Sequence, residues 1–435
     1  MPKHFLAPLL LIAYCSASFA EPLTLRLHGS NTIGASLAPA LTEAWLKTQG
    51  VMELRRTTLA AEELRITGQT GDGSPVQVDI HSHGSGTAFN GLATAAADIG
   101  MSSRPIKSAE RAALAALGQL DGPGAEYVLG LDGIAVIVHP SNPLDTLDTH
   151  SIARLFAGEI RDWAELGASS GPVHVYARDH KSGTWDTFKS LVLDKKPLSP
   201  DARRYESSEE LSDEVASDRH GIGFIGLPYV RSAKALAVSE ADTRAILPEP
   251  FSVATEDYTL ARRLFLYVPE NASAPARAFA EFAVSPRGQA LVAQEGFVSQ
   301  DILSGAPEHG PQAPEEYVEF TRGAQRLSLN FRFREGSAIP DSKAMRDIAR
   351  LAKYMNHPNN AERRLLLMGF SDANEVIPLH SLELSVHRVD TIADLLIGRG
   401  IGPVRVRGYG SALPVAGNDT PHGRHKNRRV EVWVR

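Results

Sequence analysis

Cysteine is almost absent from this chain: Cys15 is the single one in 435 residues. Beyond that position no disulfide can form, and no thiolate is available to a metal or a substrate. Long apolar runs are equally scarce. One spans residues 5–14, behind Lys3 and His4 and ahead of Ser18-Phe19-Ala20. This layout predicts a cleaved secretory signal over residues 1–20 and a mature chain beginning at Glu21. Tyr14 stands where a lipidated cysteine would need a small residue, so ordinary cleavage is expected. No later segment approaches the roughly 20 apolar residues of a membrane span. Catalytic signatures are missing too. None of the lysines has a serine three residues before it. The 15 histidines are scattered without metal spacing, and His81 and His83 flank a strand end.

The net charge of −6 hides an asymmetry. Residues 321–435 carry 19 Lys/Arg against 11 Asp/Glu, a net of +8, whereas residues 1–320 carry 26 against 40, a net of −14. Two electrostatically distinct units are joined in one chain. Export makes nucleic acid an unsuitable partner for the basic part. An acidic envelope polymer, a membrane surface or a merely solvated basic face remain open.

From residue 23 to 300, short apolar runs alternate with helical periodicity, which predicts α/β layers with mainly parallel strands. Leu37, Leu41, Ala44 and Trp45 recur at helical spacing. Residues 134–138 and 264–268 read as buried strands where the chain crosses between two lobes. Residues 301–324, rich in Pro, Gly and acid, read as a linker. A compact unit follows. Strands are expected at 327–333, 365–368, 404–409 and 430–434. One helix carries Ala344, Ile348, Leu351 and Met355 behind an Asp341 cap, and a second spans 382–396. That β-α-β-α-β-β order describes a small two-layer α+β domain.

Three loops share one chemistry: Gly29-Ser30-Asn31-Thr32-Ile33-Gly34, His83-Gly84-Ser85-Gly86-Thr87 and Arg178-Asp179-His180-Lys181-Ser182-Gly183-Thr184. Each follows an expected strand (23–27, 76–80, 173–176) and leads into an expected helix. Hydroxyl residues with glycine at a helix start offer N–H and O–H donors to an anion, and Arg178 adds a planar cationic fork. One such loop is usually only a cap; three together point to an oxyanion site. Asp98 reads as a turn acid, and Arg104 reads equally as a surface ion pair or a ligand contact.

With these loops in place, residues 21–300 resemble the periplasmic phosphate-binding proteins of ABC importers. The matching segments run in order: Gly29–Ile33, Gly84-Ser85-Gly86, 97–104, 130–136, 155–163, Arg178–Thr184, Gly221-Ile222-Gly223-Phe224 and Gly288-Gln289. The resemblance implies a two-lobed Venus-flytrap that binds inorganic phosphate without a cofactor and hands it to an ABC permease. Carried over by position, Ser30, Thr32, the Ile33 N–H and Ser85 hold the anion in one lobe, with Ser103 and Arg104 beside them. Arg178, Ser182, the Gly183 N–H and Thr184 close from the other lobe. Ser103 stands where some members carry an aspartate. A hydroxyl accepts or donates and so separates phosphate from sulfate less sharply.

Residues 325–435 resemble the peptidoglycan-binding domain of the outer-membrane protein A family. The carrying pieces are Gly369-Phe370-Ser371-Asp372, Leu384–Arg388, Gly408-Tyr409-Gly410 with Pro414, and Gly423–Glu431. The resemblance implies that Asp372 and Arg388 clamp the amino and carboxylate groups of diaminopimelate in the peptide stem. Phe370, Ser371, Ser381 and Arg334 depart from the family's usual residues. Lys181-Ser182-Gly183 resembles a short motif of penicillin-recognising serine enzymes, but their Ser-x-x-Lys is missing. The resulting expectation is a periplasmic, non-enzymatic phosphate-binding protein attached to the cell wall. The alternatives are a wall-attached structural or adhesive protein and a binder of another oxyanion.

Overall fold

The computed structural model describes residues 23–180, 182–240, 243–306, 309, 313–402 and 404–435. The expected signal peptide, Lys181 and part of the expected linker lie outside them. Two α/β lobes followed by a small α+β unit are present, but the lobe sheet is mixed rather than mainly parallel, and helix Pro421–Asn427 separates the last two strands.

In the first lobe, Leu23–Gly29 pairs in parallel with Pro75–His81 and Ile99–Ser102, and its alternate residues Leu25 and Leu27 are buried. Helix Leu37–Thr48 turns Leu37, Leu41 and Trp45 onto that core. The second lobe is built on Gly221–Gly226, His174–Arg178 and Arg203–Tyr205. Phe156, Phe188 and Phe224 fill its centre, with Phe188 and Phe224 stacked 4.0 Å apart.

Two long strands carry the chain between the lobes. Glu126–Val138 is buried along its whole length. Its first half pairs with Ala261–Tyr267 and its second half with Gly221–Gly226, so one curled sheet runs through both lobes. A strand shared in this way fixes its polar residues relative to both lobes at once.

The C-terminal unit has a five-stranded sheet, ordered Ser304–Gly305, Gln325–Arg332, Arg429–Val434, Leu365–Gly369, Val404–Gly408. Helix Ser342–Met355 is capped by Asp341, which accepts the Ala344 N–H at 2.8 Å. Helix Pro378–Ile397 starts earlier than its apolar spacing indicated, because Pro378 supplies a ready first turn. The stretch expected as a linker is partly structured. Ser304–Gly305 joins the sheet edge, and Glu315–Phe320 forms a helix that seats Tyr317 and Phe320 beside Trp433. Its Pro-rich, acidic composition hid two aromatic residues with a core to fill.

The unit also docks on the loop that enters Ala261–Tyr267. Asn330 Nδ2 donates to Thr255 O at 2.7 Å and Asp257 Oδ1 at 2.9 Å, and Arg332 Nη2 donates to Thr255 O at 2.7 Å. Arg326 pairs with Asp257 at 2.7 Å, and Arg263 bridges Glu256 at 2.9 Å and Asp341 at 2.6 Å. Lys426 Nζ caps the carbonyls of Tyr258 and Thr259 at 2.6 and 2.8 Å. Burial alone would raise the Glu256 carboxyl. The charges of Arg263, Arg332 and Lys343 outweigh it and hold the group well below its usual range. Glu256 sits at φ +61°, a left-handed conformation that a glutamate keeps only when its surroundings over-determine it.

Candidate functional site

The first-lobe loops meet edge to edge. Leu23–Gly29 ends in a sharp turn at Gly29, where φ is +144° and a Cβ would lie 1.9 Å from Met101 O. That close approach lets the Ser30 N–H reach Met101 O at 2.9 Å. The Gly84 N–H donates to Gly29 O at 2.8 Å and so ties the first loop to the second. Ser85 Oγ accepts the Ser103 N–H at 3.0 Å and lies 3.2 Å from Ser103 Oγ. The Ile33 side chain enters the core, which leaves only its backbone for a ligand.

From the second lobe, Ser182 caps the short helix Gly183–Phe188, its Oγ accepting the Trp185 N–H at 3.4 Å. Thr184 is half-buried in the same turn. Gly183 faces Thr32 directly across the lobes. The cleft between the lobes encloses about 800 Å3. Of the expected residues, Ser30, Ser85, Ser103, Arg104 and Gly183 line it. Arg334, His422 and Lys426 of the C-terminal unit form part of its wall. Burial draws the Lys426 ammonium down to about 8.

Two expected cations are already engaged by other groups. Arg178 ends the strand His174–Arg178, which pairs with Arg203–Tyr205. Its guanidinium follows that neighbour to Tyr205 O at 3.3 Å, Glu206 O at 2.8 Å and Ser208 Oγ, outside the cleft lining. Arg104 forks onto Glu110 at 2.8 and 2.6 Å. Asp98 is bound by Arg26 at 2.8 Å, the turn-acid role. His81 stacks on His28, and His83 meets Glu63 at 3.0 Å. Among the described residues no group of three His, Cys, Asp or Glu could hold a metal ion.

A buried ion pair that the sequence reading missed fills the gap. Arg262 lies opposite Asp132 on the two crossing strands. Its Nε and Nη2 donate to Asp132 Oδ2 at 3.1 and 2.9 Å, and both side chains are 7% exposed. Nη2 also reaches Thr32 Oγ1 at 2.9 Å and Gly183 O at 3.0 Å, one atom from each lobe. The available signal was an aspartate and an arginine inside mainly apolar crossing strands.

The pair expected to hold a peptide stem is self-satisfied. Asp372, 1% exposed, accepts from Arg428 Nη1 at 2.9 Å and from the Asn374 N–H at 2.9 Å. Arg388, fully buried, places both Nη atoms on the Glu375 carboxylate and donates to Ser337 O at 3.0 Å. The chain's own glutamate occupies the carboxylate-binding fork.

Residues 61–287 match the model of the PBP superfamily domain, and residues 332–428 that of the OmpA family. Protein SphX of Synechococcus elongatus is 32% identical over 239 residues, 51% of this chain and 69% of that protein. Phosphate-binding protein PstS of Pseudomonas aeruginosa is 28% identical over 242 residues, 51% of this chain and 74% of that protein. The crystal structure of a possible phosphate binding protein from Planctomyces limnophilus shares the fold. Its TM-score is 0.52 at 21% identity, covering 69% of this chain and 96% of that one. With the superfamily model spanning more than half of its length, the chain belongs to the PBP superfamily and carries an OmpA-family match in its C-terminal unit.

Proposed function

We propose that this protein captures inorganic phosphate between its lobes without performing chemistry on it, and that its C-terminal unit holds it to peptidoglycan. The observation that carries the first half is the convergence of Ser30, Ser85, Ser103 and Gly183 on one interlobe cleft. Relatives that bear the name phosphate-binding protein support it. Thr32, the Ile33 N–H, Arg104, Arg178, Ser182 and Thr184 complete the proposed set, Arg178 by swinging from Tyr205 and Glu206 as the lobes close on the anion. Lobe closure replaces water around the anion by fixed dipoles, which gives tight binding of a small oxyanion.

In the proposed arrangement residues 21–300 form the capture unit and residues 325–435 the anchor, after removal of an export signal over residues 1–20. The protein works in the periplasm, as a scavenger that supplies an ABC permease or as a phosphate sensor. A diaminopimelate carboxylate exchanges with Glu375 on Arg388, while Asp372 takes the amino group.

Isothermal titration of ligand-stripped protein with phosphate and then sulfate tests the first half. Micromolar or tighter binding of phosphate alone is expected, and no heat from either anion would refute capture. Co-sedimentation with purified sacculi, competed by free diaminopimelate, tests the anchor; protein left in the supernatant would refute it.

A further inference from the structure

The cleft has hydroxyls and backbone dipoles, yet both cations expected for it are already engaged by other groups. Arg104 is forked on Glu110, and Arg178 is held by Tyr205, Glu206 and Ser208. A desolvated oxyanion needs a positive charge close by. Arg262 is the guanidinium that touches a loop of each lobe. It lines the cleft beside Ser30, Ser85, Ser103 and Gly183. It stands beside Glu126–Val138, the strand that runs through both lobes, and already touches a loop of each.

The hydrogen bonds of Arg262 fit this role. A guanidinium has five N–H donors. Nε is taken by Asp132, and Nη2, with two hydrogens, is shared among Asp132, Thr32 Oγ1 and Gly183 O. Nη1, with two more, has no acceptor among the described residues. Thr32 Oγ1 and Gly183 O are uncharged oxygens within 3.0 Å of the buried guanidinium, held one from each lobe. Oxygens of a tetrahedral anion would make the same contacts with charge assistance and would also use Nη1. Asp132 orients the fork; it is a positioning residue.

We propose that Arg262 is an anion-binding residue of the cleft, its guanidinium supplying the charge for a bound tetrahedral oxyanion while Thr32 and Gly183 close around it. This inference rests on the capture function proposed above. It differs from the loop-based expectation in where the cation originates: the strand beside Glu126–Val138, not the third loop.

The test titrates the full, ligand-stripped chain with inorganic phosphate. Binding by the wild type is the reference, and its absence would remove the capture reading and this inference together. Given phosphate binding, Arg262→Met is expected to weaken it by roughly 10- to 100-fold, the range for one charged hydrogen-bonding group. Arg262→Lys should recover part of that loss, and Arg178→Met should cost less than Arg262→Met. Since Arg262→Met strands the buried Asp132, the double variant Arg262→Met/Asp132→Asn removes both charges together. If it melts near the wild-type temperature and binds phosphate weakly, the role in binding stands. Wild-type affinity in the folded double variant, or a larger loss from Arg178→Met, would overturn the proposal.

Discussion

A methyl group added at Gly183 would stand 1.8 Å from Thr32 Oγ1 and 2.8 Å from Thr32 Cβ, so the contact between the lobes leaves no room for any side chain. Alanine is well tolerated within a helix, and Gly183 opens one. Gly183→Ala is therefore expected to leave melting nearly unchanged while it wedges the lobes apart. Overpacking of this kind costs about 1–3 kcal/mol, here charged against closure. Phosphate affinity should fall roughly 5- to 150-fold, and small-angle scattering should report a larger radius of gyration. Unchanged affinity would mean that the closed contact is not used in binding. The loops around Ser30, Ser85 and Gly183 were legible in the sequence because hydroxyl-glycine runs at helix starts have a local pattern. The Gly183–Thr32 approach and the Arg262–Asp132 pair were not, because each joins residues more than a hundred positions apart and leaves no local pattern.

Among the elements, the crossing strands were the easiest to anticipate, since Ile134–Val138 is uninterrupted apolar sequence and stays buried throughout. Their polar residues hold the junction together. Glu126 begins the first crossing strand, 8% exposed, where Tyr267 Oη donates to it at 2.9 Å and Ser342 Oγ donates from the C-terminal unit. Burial raises its carboxyl above the ordinary 4.5, more than these hydrogen bonds lower it. The folded protein therefore holds this proton more tightly than the unfolded chain does. Its contribution to stability is full below the unfolded value and declines as pH rises from 4.5 through the folded value. Glu126→Gln removes the cost of a buried charge and keeps an acceptor for either hydroxyl. The variant should melt higher than wild type at about pH 7 and the difference should vanish at about pH 4. A variant less stable at neutral pH would show that the ionised carboxylate supports the junction.

The whole molecule departs most from what its sequence suggested, although each unit was legible alone from its own periodicity. The net of +8 in residues 321–435 beside −14 in residues 1–320 left open an acidic envelope polymer, a membrane surface or a merely solvated basic face. Part of that basic charge faces inward. Arg326, Arg332 and Lys426 of the C-terminal unit meet the loop around Glu256 and Asp257, where few of these groups remain exposed. Asp257, 3% exposed, is the centre of this contact, since Arg326, Arg332 and Asn330 all converge on its carboxylate. Removing one partner of a buried ionic cluster costs about 3–5 kcal/mol, because the charges left behind lose both water and counter-charge. In Asp257→Ala that cost falls on the docking of the two units rather than on either core, as the main hydrophobic clusters lie elsewhere. Differential scanning calorimetry should then record one cooperative transition for the wild-type chain and two for the variant, one for each unit. A single transition in both would mean that apolar contacts, not the ionic cluster, hold the units together. Docking of this kind places the proposed wall anchor against the loop that feeds the crossing strand of Arg262. Cleft and anchor then move as parts of one body, so loss of the contact should also soften the cleft wall that Arg334, His422 and Lys426 supply.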